Sequence, residues 1–335
     1  MRPGWLALTA EAALEPALPI LDPHHHLWDR ADERYLVAEL AADAGQGHDI
    51  RGTVFIQCAS AYRAAGPEEE RPLGETAWVA AQARGGFCAG IVGLVDLTLG
   101  ERVTPLLEAH LALAPGRFRG VRNRTAWHPD PTVRANLTAP PPGPLGTPAF
   151  IAGARRLAAL GLSLDVWCYH TQLGLVLEVA RQVPELTLVL DHLGGPLHAG
   201  RDPGVFAAWH PAMAELARCP NVLLKLGGLA MEVGGWDFDL RPRPPGSAEL
   251  AAAWRPWVET GIALFGPGRC MFESNFPVDK GMVGYGVLWN AFKRLAAGCS
   301  PEEKAGLFHG TAARAYRLDL PPMRPAGLEP ATKPL

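Results

Sequence analysis

Short apolar runs alternate with helical stretches about eight times along this chain. In order, the runs are LPILDPHHH, RGTVFIQCA, FCAGIVGLVDL, FRGVRNR, LSLDVWCY, LTLVLDHLG, NVLLKLGG and RCMFESNF. Several are apolar at consecutive positions, so both faces of the strand would be buried, as in a parallel sheet covered by helices. Between them lie segments with helical spacing of apolar residues, such as GETAWVAAQARG, QLGLVLEVARQVP and GVLWNAFKRLAAG. Strand then helix, repeated this often, predicts a (β/α)8 TIM barrel of the α/β class rather than an open doubly wound sheet. No GxGxxG follows the first run, which removes the usual support for a dinucleotide fold.

The 335 residues suit one such barrel, typically about 250 residues, with insertions. The expected organisation is an N-terminal extension over 1–18, a single barrel over 19–319 and a loose tail over 320–335, where PPMRPAGLEPATKPL has Pro and Gly but no periodicity. A 48% hydrophobic composition with net charge −3 is that of an ordinary soluble globular protein. Without a basic cluster, nucleic acid is not the expected partner, nor is a membrane; a small-molecule substrate is, and homo-oligomerisation stays open. Six cysteines with no CxxC pair signal neither a zinc knuckle nor a disulfide framework and read as reduced thiols of a cytoplasmic protein. Glu11 and Glu15 interrupt the apolar N-terminal stretch, so a secretion signal is not expected.

In a barrel, the loops after the strands share one face, where such enzymes keep their chemistry. Three of these loops are long and Pro-rich, following the second, fourth and seventh runs; they are binding loops, lids or passive insertions, and length alone does not separate these. In Pro23-His24-His25-His26, alternation along a strand gives His24 and His26 one direction and turns His25 toward the helical shell. Two imidazoles ~6–7 Å apart along the chain can converge on one cation, although buried histidines are often only hydrogen-bonded. His170 and His192 end the fifth and sixth runs, where strands deliver side chains to the mouth, and His128 lies in the long fourth loop.

Arg122 and Arg124 stand two apart at the end of the fourth run; a guanidinium fork suits an anionic substrate, and a rim salt bridge is the plainer use. Lys225, a charge in an apolar run, needs either a paired carboxylate across the barrel or a place at the mouth. Asp22 is placed to orient a histidine. Trp28 and Trp127 are candidate pocket walls or simple core packing.

Taken together, LDPHHHLWD, FRGVRNRTAWHPDP, YHTQL, LVLDHLGGP, NVLLKLGGL, RCMFESNFPVD and GTAARAYRL resemble the amidohydrolase-2 branch of the amidohydrolase superfamily, from about Leu21 to Leu318. Within it the chain is similar to the fuconolactonase-like and 2-pyrone-4,6-dicarboxylate lactonase-like enzymes. The resemblance implies a distorted (β/α)8 barrel in which His24, His26 and His170, with a carboxylate from the eighth strand, hold one divalent ion, zinc or alternatively manganese. It also implies that His192 polarises water or the substrate carbonyl and that Arg122 contacts the substrate, with Lys225, Trp28 and Trp127 as further candidates for substrate binding. Some lactonases of this branch work without metal.

The pattern breaks at Asn275, which stands where the family usually has aspartate; an amide is a poorer zinc ligand and no base. Asp279 or Glu273 then supplies the carboxylate, or His192 serves as the base, or the chemistry is lost. Asp279, beyond Pro277 in the following loop, is preferred for its freedom to swing inward. The catalytic candidates are thus His192, Asn275 and Asp279. The expected activity is hydrolytic opening of a lactone of a small sugar acid or carboxylated ring. The rivals are a nonoxidative decarboxylase of an aromatic or muconic acid on the same barrel, and a catalytically silent ligand-binding barrel.

Overall fold

A computed structural model of the protein describes residues 2–133 and 142–319. The expected tail at 320–335, part of the fourth loop and the side chain of Arg124 lie outside the described residues.

All eight apolar runs form strands of one parallel sheet: β1 (Pro19–His25), β2 (Asp49–Ile56), β3 (Gly90–Gly93), β4 (Phe118–Arg124), β5 (Ser163–Trp167), β6 (Leu188–Leu190), β7 (Val222–Lys225) and β8 (Cys270–Met271). Each pairs with the next in chain order. The seam between first and last is closed by a bridge from His25 to Phe276, where the His26 N–H donates to Phe276 O at 2.7 Å and the Asn275 N–H donates to His24 O at 2.9 Å. The triple histidine and ESNF are therefore the two sides of one seam. A helix follows every strand: α1 (Val37–Ala44), α2 (Leu73–Gln82), α3 (Thr104–Leu113), α4 (Pro148–Ala159), α5 (Leu173–Gln182), α6 (Gly204–Ala217), α7 (Ser247–Phe265) and α8 (Tyr285–Leu295).

Two apolar layers hold this arrangement. The larger fills the space between strands and helices; the smaller, inside the barrel, comprises Leu21, Val54, Ile56, Val92, Val189 and Met271, closed by Ala312, Ala315 and Tyr316 of the C-terminal segment. With the interior filled by side chains, the barrel is a packed core rather than a pore. Residues before β1 fasten to the loop after β7: Trp5 Nε1 donates to Arg241 O at 3.0 Å, and the Ser247 N–H donates to Glu11 Oε1 at 2.7 Å. Among the described residues no helix is long and apolar enough to cross a membrane.

Candidate active site

The strands end before their motifs do. β6 stops at Leu190 and β8 at Met271, so His192 and Glu273 sit on the turns that follow. His192 and Leu193 adopt left-handed backbone, φ 53° and 54°, which bulky residues rarely do. That turn swings the imidazole back over the barrel, with its ring centroid 4.5 Å from that of His24 and 4.9 Å from Trp167. The two glycines of LGG make room. A Cβ on Gly228 would lie 2.3 Å from His192 Nδ1 and one on Gly227 2.4 Å from Glu273 Cγ.

Glu273 is the hub. Its Oε1 lies 2.7 Å from His192 Nδ1 and accepts the His192 backbone N–H at 3.2 Å, while Oε2 lies 2.8 Å from His24 Nδ1. Burial pushes its carboxyl up, but the imidazoles of His192 and His24 outweigh this and bring it down to about 2. His24 and His26 lie with their Nε2 atoms 3.3 Å apart, and His26 Nδ1 is 2.8 Å from Ile56 O. Burial first, then Lys225 beside His24 and Arg122 beside His26, holds both rings well below the usual histidine range. His25 turns the other way, its Nε2 2.9 Å from Thr53 Oγ1 and its ring against Phe55.

Under this centre lies a fully buried ion cluster. Lys225 Nζ is 2.8 Å from Asp165 Oδ2, 2.9 Å from Asp191 Oδ1 and 3.1 Å from His24 Nδ1. Burial alone would lower its pKa, yet Asp165, Asp191 and Glu273 raise it, so the ammonium stays charged. Tyr316 donates to Asp165 at 2.5 Å, linking the cluster to the apolar plug. Lys225, expected among the substrate contacts, is buried among these partners. Asp165 and Asp191 were not singled out from the sequence, although each is a carboxylate in an apolar run and so calls for a buried partner as Lys225 does.

Asn275, at φ 53°, donates its amide to Asp279 Oδ1 at 2.8 Å, and Ala230 N–H donates to Asp279 Oδ2 at 3.2 Å. Burial lifts the Asp279 carboxyl to about 7, despite His192 and the Asn275 hydrogen bond. Asp22, expected to orient a histidine, accepts the His24 backbone N–H at 3.3 Å and also ties the seam, accepting the Ser274 N–H at 3.0 Å and the Tyr285 hydroxyl at 3.0 Å. Arg122 is buried and donates to Gln57 O. Trp28 stacks on His26 with planes 18° apart, whereas Trp127 is half-buried in the fourth loop, its backbone N–H donating to Gln172 Oε1 at 3.0 Å.

Among the described residues one group brings three donor atoms within 4.8 Å of one another, His24, His192 and Glu273; it shares His24 with the expected set of His24, His26 and His170. His170 is half-buried on the next turn, where its Nδ1 accepts the Leu197 N–H at 3.2 Å. Of the two carboxylates, Glu273 touches His24 and His192, whereas Asp279 is held by Asn275 and the Ala230 N–H. The donors suit a divalent ion: two imidazole nitrogens and a carboxylate are a zinc-type set.

The His, Lys and carboxylate side chains gather at the C-terminal ends of the strands, the face where barrel enzymes keep their chemistry. The family model described as amidohydrolase matches residues 21–318, and the chain belongs to that family. It is 34% identical to the uncharacterized protein y4mH of Sinorhizobium fredii, over 90% of this chain and 99% of the relative. It is 30% identical to an L-fucono-1,5-lactonase of Burkholderia multivorans, over 90% and 97%. An amidohydrolase from Burkholderia multivorans, solved with bound zinc, superposes with a TM-score of 0.68 at 26% identity, covering 90% of this chain and 99% of that one.

Proposed function

We propose that the protein hydrolyses a lactone of a small sugar acid or carboxylated ring. The observation that carries this reading is the His24–Glu273–His192 centre at the barrel mouth, with Arg122 and the raised carboxyl of Asp279 nearby. The lactonase relative supports the bond type.

His24, His192 and Glu273 would hold one divalent ion, zinc or manganese. When bound, such an ion polarises the lactone carbonyl and acidifies water. The chain supplies the rest. Lys225, with Asp165 and Asp191, fixes His24 from below. Asp279, held by Asn275 and the Ala230 N–H, accepts the proton of the attacking water; a carboxyl near 7 is well matched to that task at neutral pH. The same carboxyl then returns the proton to the ring oxygen as it leaves. Arg122 holds the substrate's anionic or hydroxylated end. His170 and Trp127 belong to the outer wall of the mouth in this reading, and Trp28 to its inner wall.

A panel of sugar-acid lactones in a pH-indicator assay tests the proposal, with metal content measured on the same protein. The expected outcome is acid release with at least one lactone and about one equivalent of metal, and a KM raised about tenfold or more in Arg122→Ala, from loss of a charge-assisted contact. Folded protein that opens none of the panel contradicts it.

A further inference from the structure

The loop after β7 is one of the Pro-rich runs whose length left its role open. Its segment Arg241-Pro242-Arg243-Pro244-Pro245 has only two backbone N–H groups in five residues, so it closes few turns of its own and its carbonyls need donors from elsewhere. The N-terminal extension brings them. Arg2 donates to Asp239 O at 2.6 Å, Trp5 Nε1 to Arg241 O at 3.0 Å and Thr9 Oγ1 to Pro244 O at 2.9 Å. These donors stand three and four residues apart along the short helical turns Pro3–Leu6 and Ala7–Thr9, a spacing that turns them to one side. The extension is itself anchored further along: Glu11 accepts the Ser247 N–H at 2.7 Å, and the buried Asn290 of α8 accepts the Leu14 N–H at 2.8 Å.

The other half of the same loop borders the site. The Ala230 N–H donates to Asp279 at 3.2 Å, and Met231 and Val233 pack with Trp167, whose ring meets that of His192. Successive turns join the halves: Gly234 N–H donates to Met231 O at 2.9 Å, Gly235 N–H to Glu232 O at 3.0 Å, and Leu240 N–H to Asp237 O at 3.2 Å. Phe238, between them, is buried with its ring beside those of Trp236 and Trp254. A displacement of the outer half is therefore passed to the wall of the mouth. We propose that residues 2–9 are a strap that fixes the loop after β7 as a wall of the mouth, with Trp5 and Thr9 as positioning residues. The loop is then neither a passive insertion nor a free lid. What the strap does for substrate rests on the lactone reading; what it does for the loop does not.

Hydrogen exchange read by mass spectrometry, with steady-state kinetics on the same proteins, tests the strap. The proteins are wild type, the double variant Trp5→Phe with Thr9→Val, and Lys304→Gln. The double variant removes two donors to the loop. Lys304→Gln cuts an ion pair to Glu15, 2.9 Å long, at the other end of the extension and is the control for general loosening. In the double variant the amides of residues 230–241 are expected to exchange about fivefold faster or more, with no change there in Lys304→Gln. The KM for the lactone is expected to rise about threefold or more while kcat stays within about twofold. Unchanged exchange over residues 230–234 in the double variant, or exchange that rises equally across the barrel, overturns the strap. A loosened loop with KM unchanged overturns its role as a wall of the site. Faster exchange confined to the loop, in a protein that opens no lactone, upholds the strap and rejects the lactone reading.

Discussion

Asn275 stands where the resemblance led to an expected aspartate. Its amide donates to Asp279 at 2.8 Å, while Glu273 lies between His24 and His192. Restoring the family residue with Asn275→Asp would set two buried carboxylates against each other. The expected result is a drop in kcat of about tenfold or more and a loss of ~1–3 kcal/mol of stability, from a lost hydrogen bond and like-charge repulsion. Steady-state kinetics and urea unfolding of the variant check this; a gain in kcat would contradict it. At this scale the inward pair His24 and His26 and the outsider His25 were legible from local alternation, although β1 shifts register between Asp22 and His25 and ends at His25. Glu273 was not settled by the same rule, since β8 ends at Met271 and alternation has no meaning beyond it.

At the scale of elements, the alternation of apolar runs located every barrel strand, and the runs overshot the strands because the site residues leave the sheet at its C-terminal edge. The helix α1 and the small antiparallel ribbon of Trp28–Arg30 and Glu33–Tyr35 were not among the segments singled out; VAELAADA has only about two turns, though Val37, Leu40 and Ala44 keep helical spacing. The contact between α2 and α3 carries a pH dependence of its own. His110 of α3 is buried, its Nδ1 2.8 Å from Thr76 Oγ1 of α2 and its Nε2 3.1 Å from Leu94 O. Burial pushes its pKa down to about 4, while an unfolded histidine titrates near 6.5. The unfolded chain therefore binds the extra proton first, and the stability contributed by neutral His110 is lost as pH falls from about 6.5 toward 4, at ~1.4 kcal/mol per unit. Unfolding free energies at pH 7 and pH 5 are expected to differ by ~2 kcal/mol less in His110→Gln than in wild type. An equal pH dependence in the two would contradict this.

Across the whole molecule the barrel interior is graded: an apolar plug closed by Tyr316, a buried Lys225–Asp165–Asp191 cluster above it, and the histidine and glutamate centre at the mouth. The grading explains how a charged lysine can stand in an apolar strand, paired with two carboxylates, and why the first and eighth strands, far apart in the chain, carry adjoining motifs: they meet at the seam. Sequence alone conveyed the barrel and the motifs but not this stacking, which depends on how far each strand runs before its turn. The account depends on Glu273 joining His24 to His192 in a centre that opens lactones. The most direct test is initial-rate lactone hydrolysis by wild type and Glu273→Gln, side by side, with both confirmed folded. The account predicts turnover by wild type and a loss of about a hundredfold or more in the variant. Equal rates in the two proteins would contradict it.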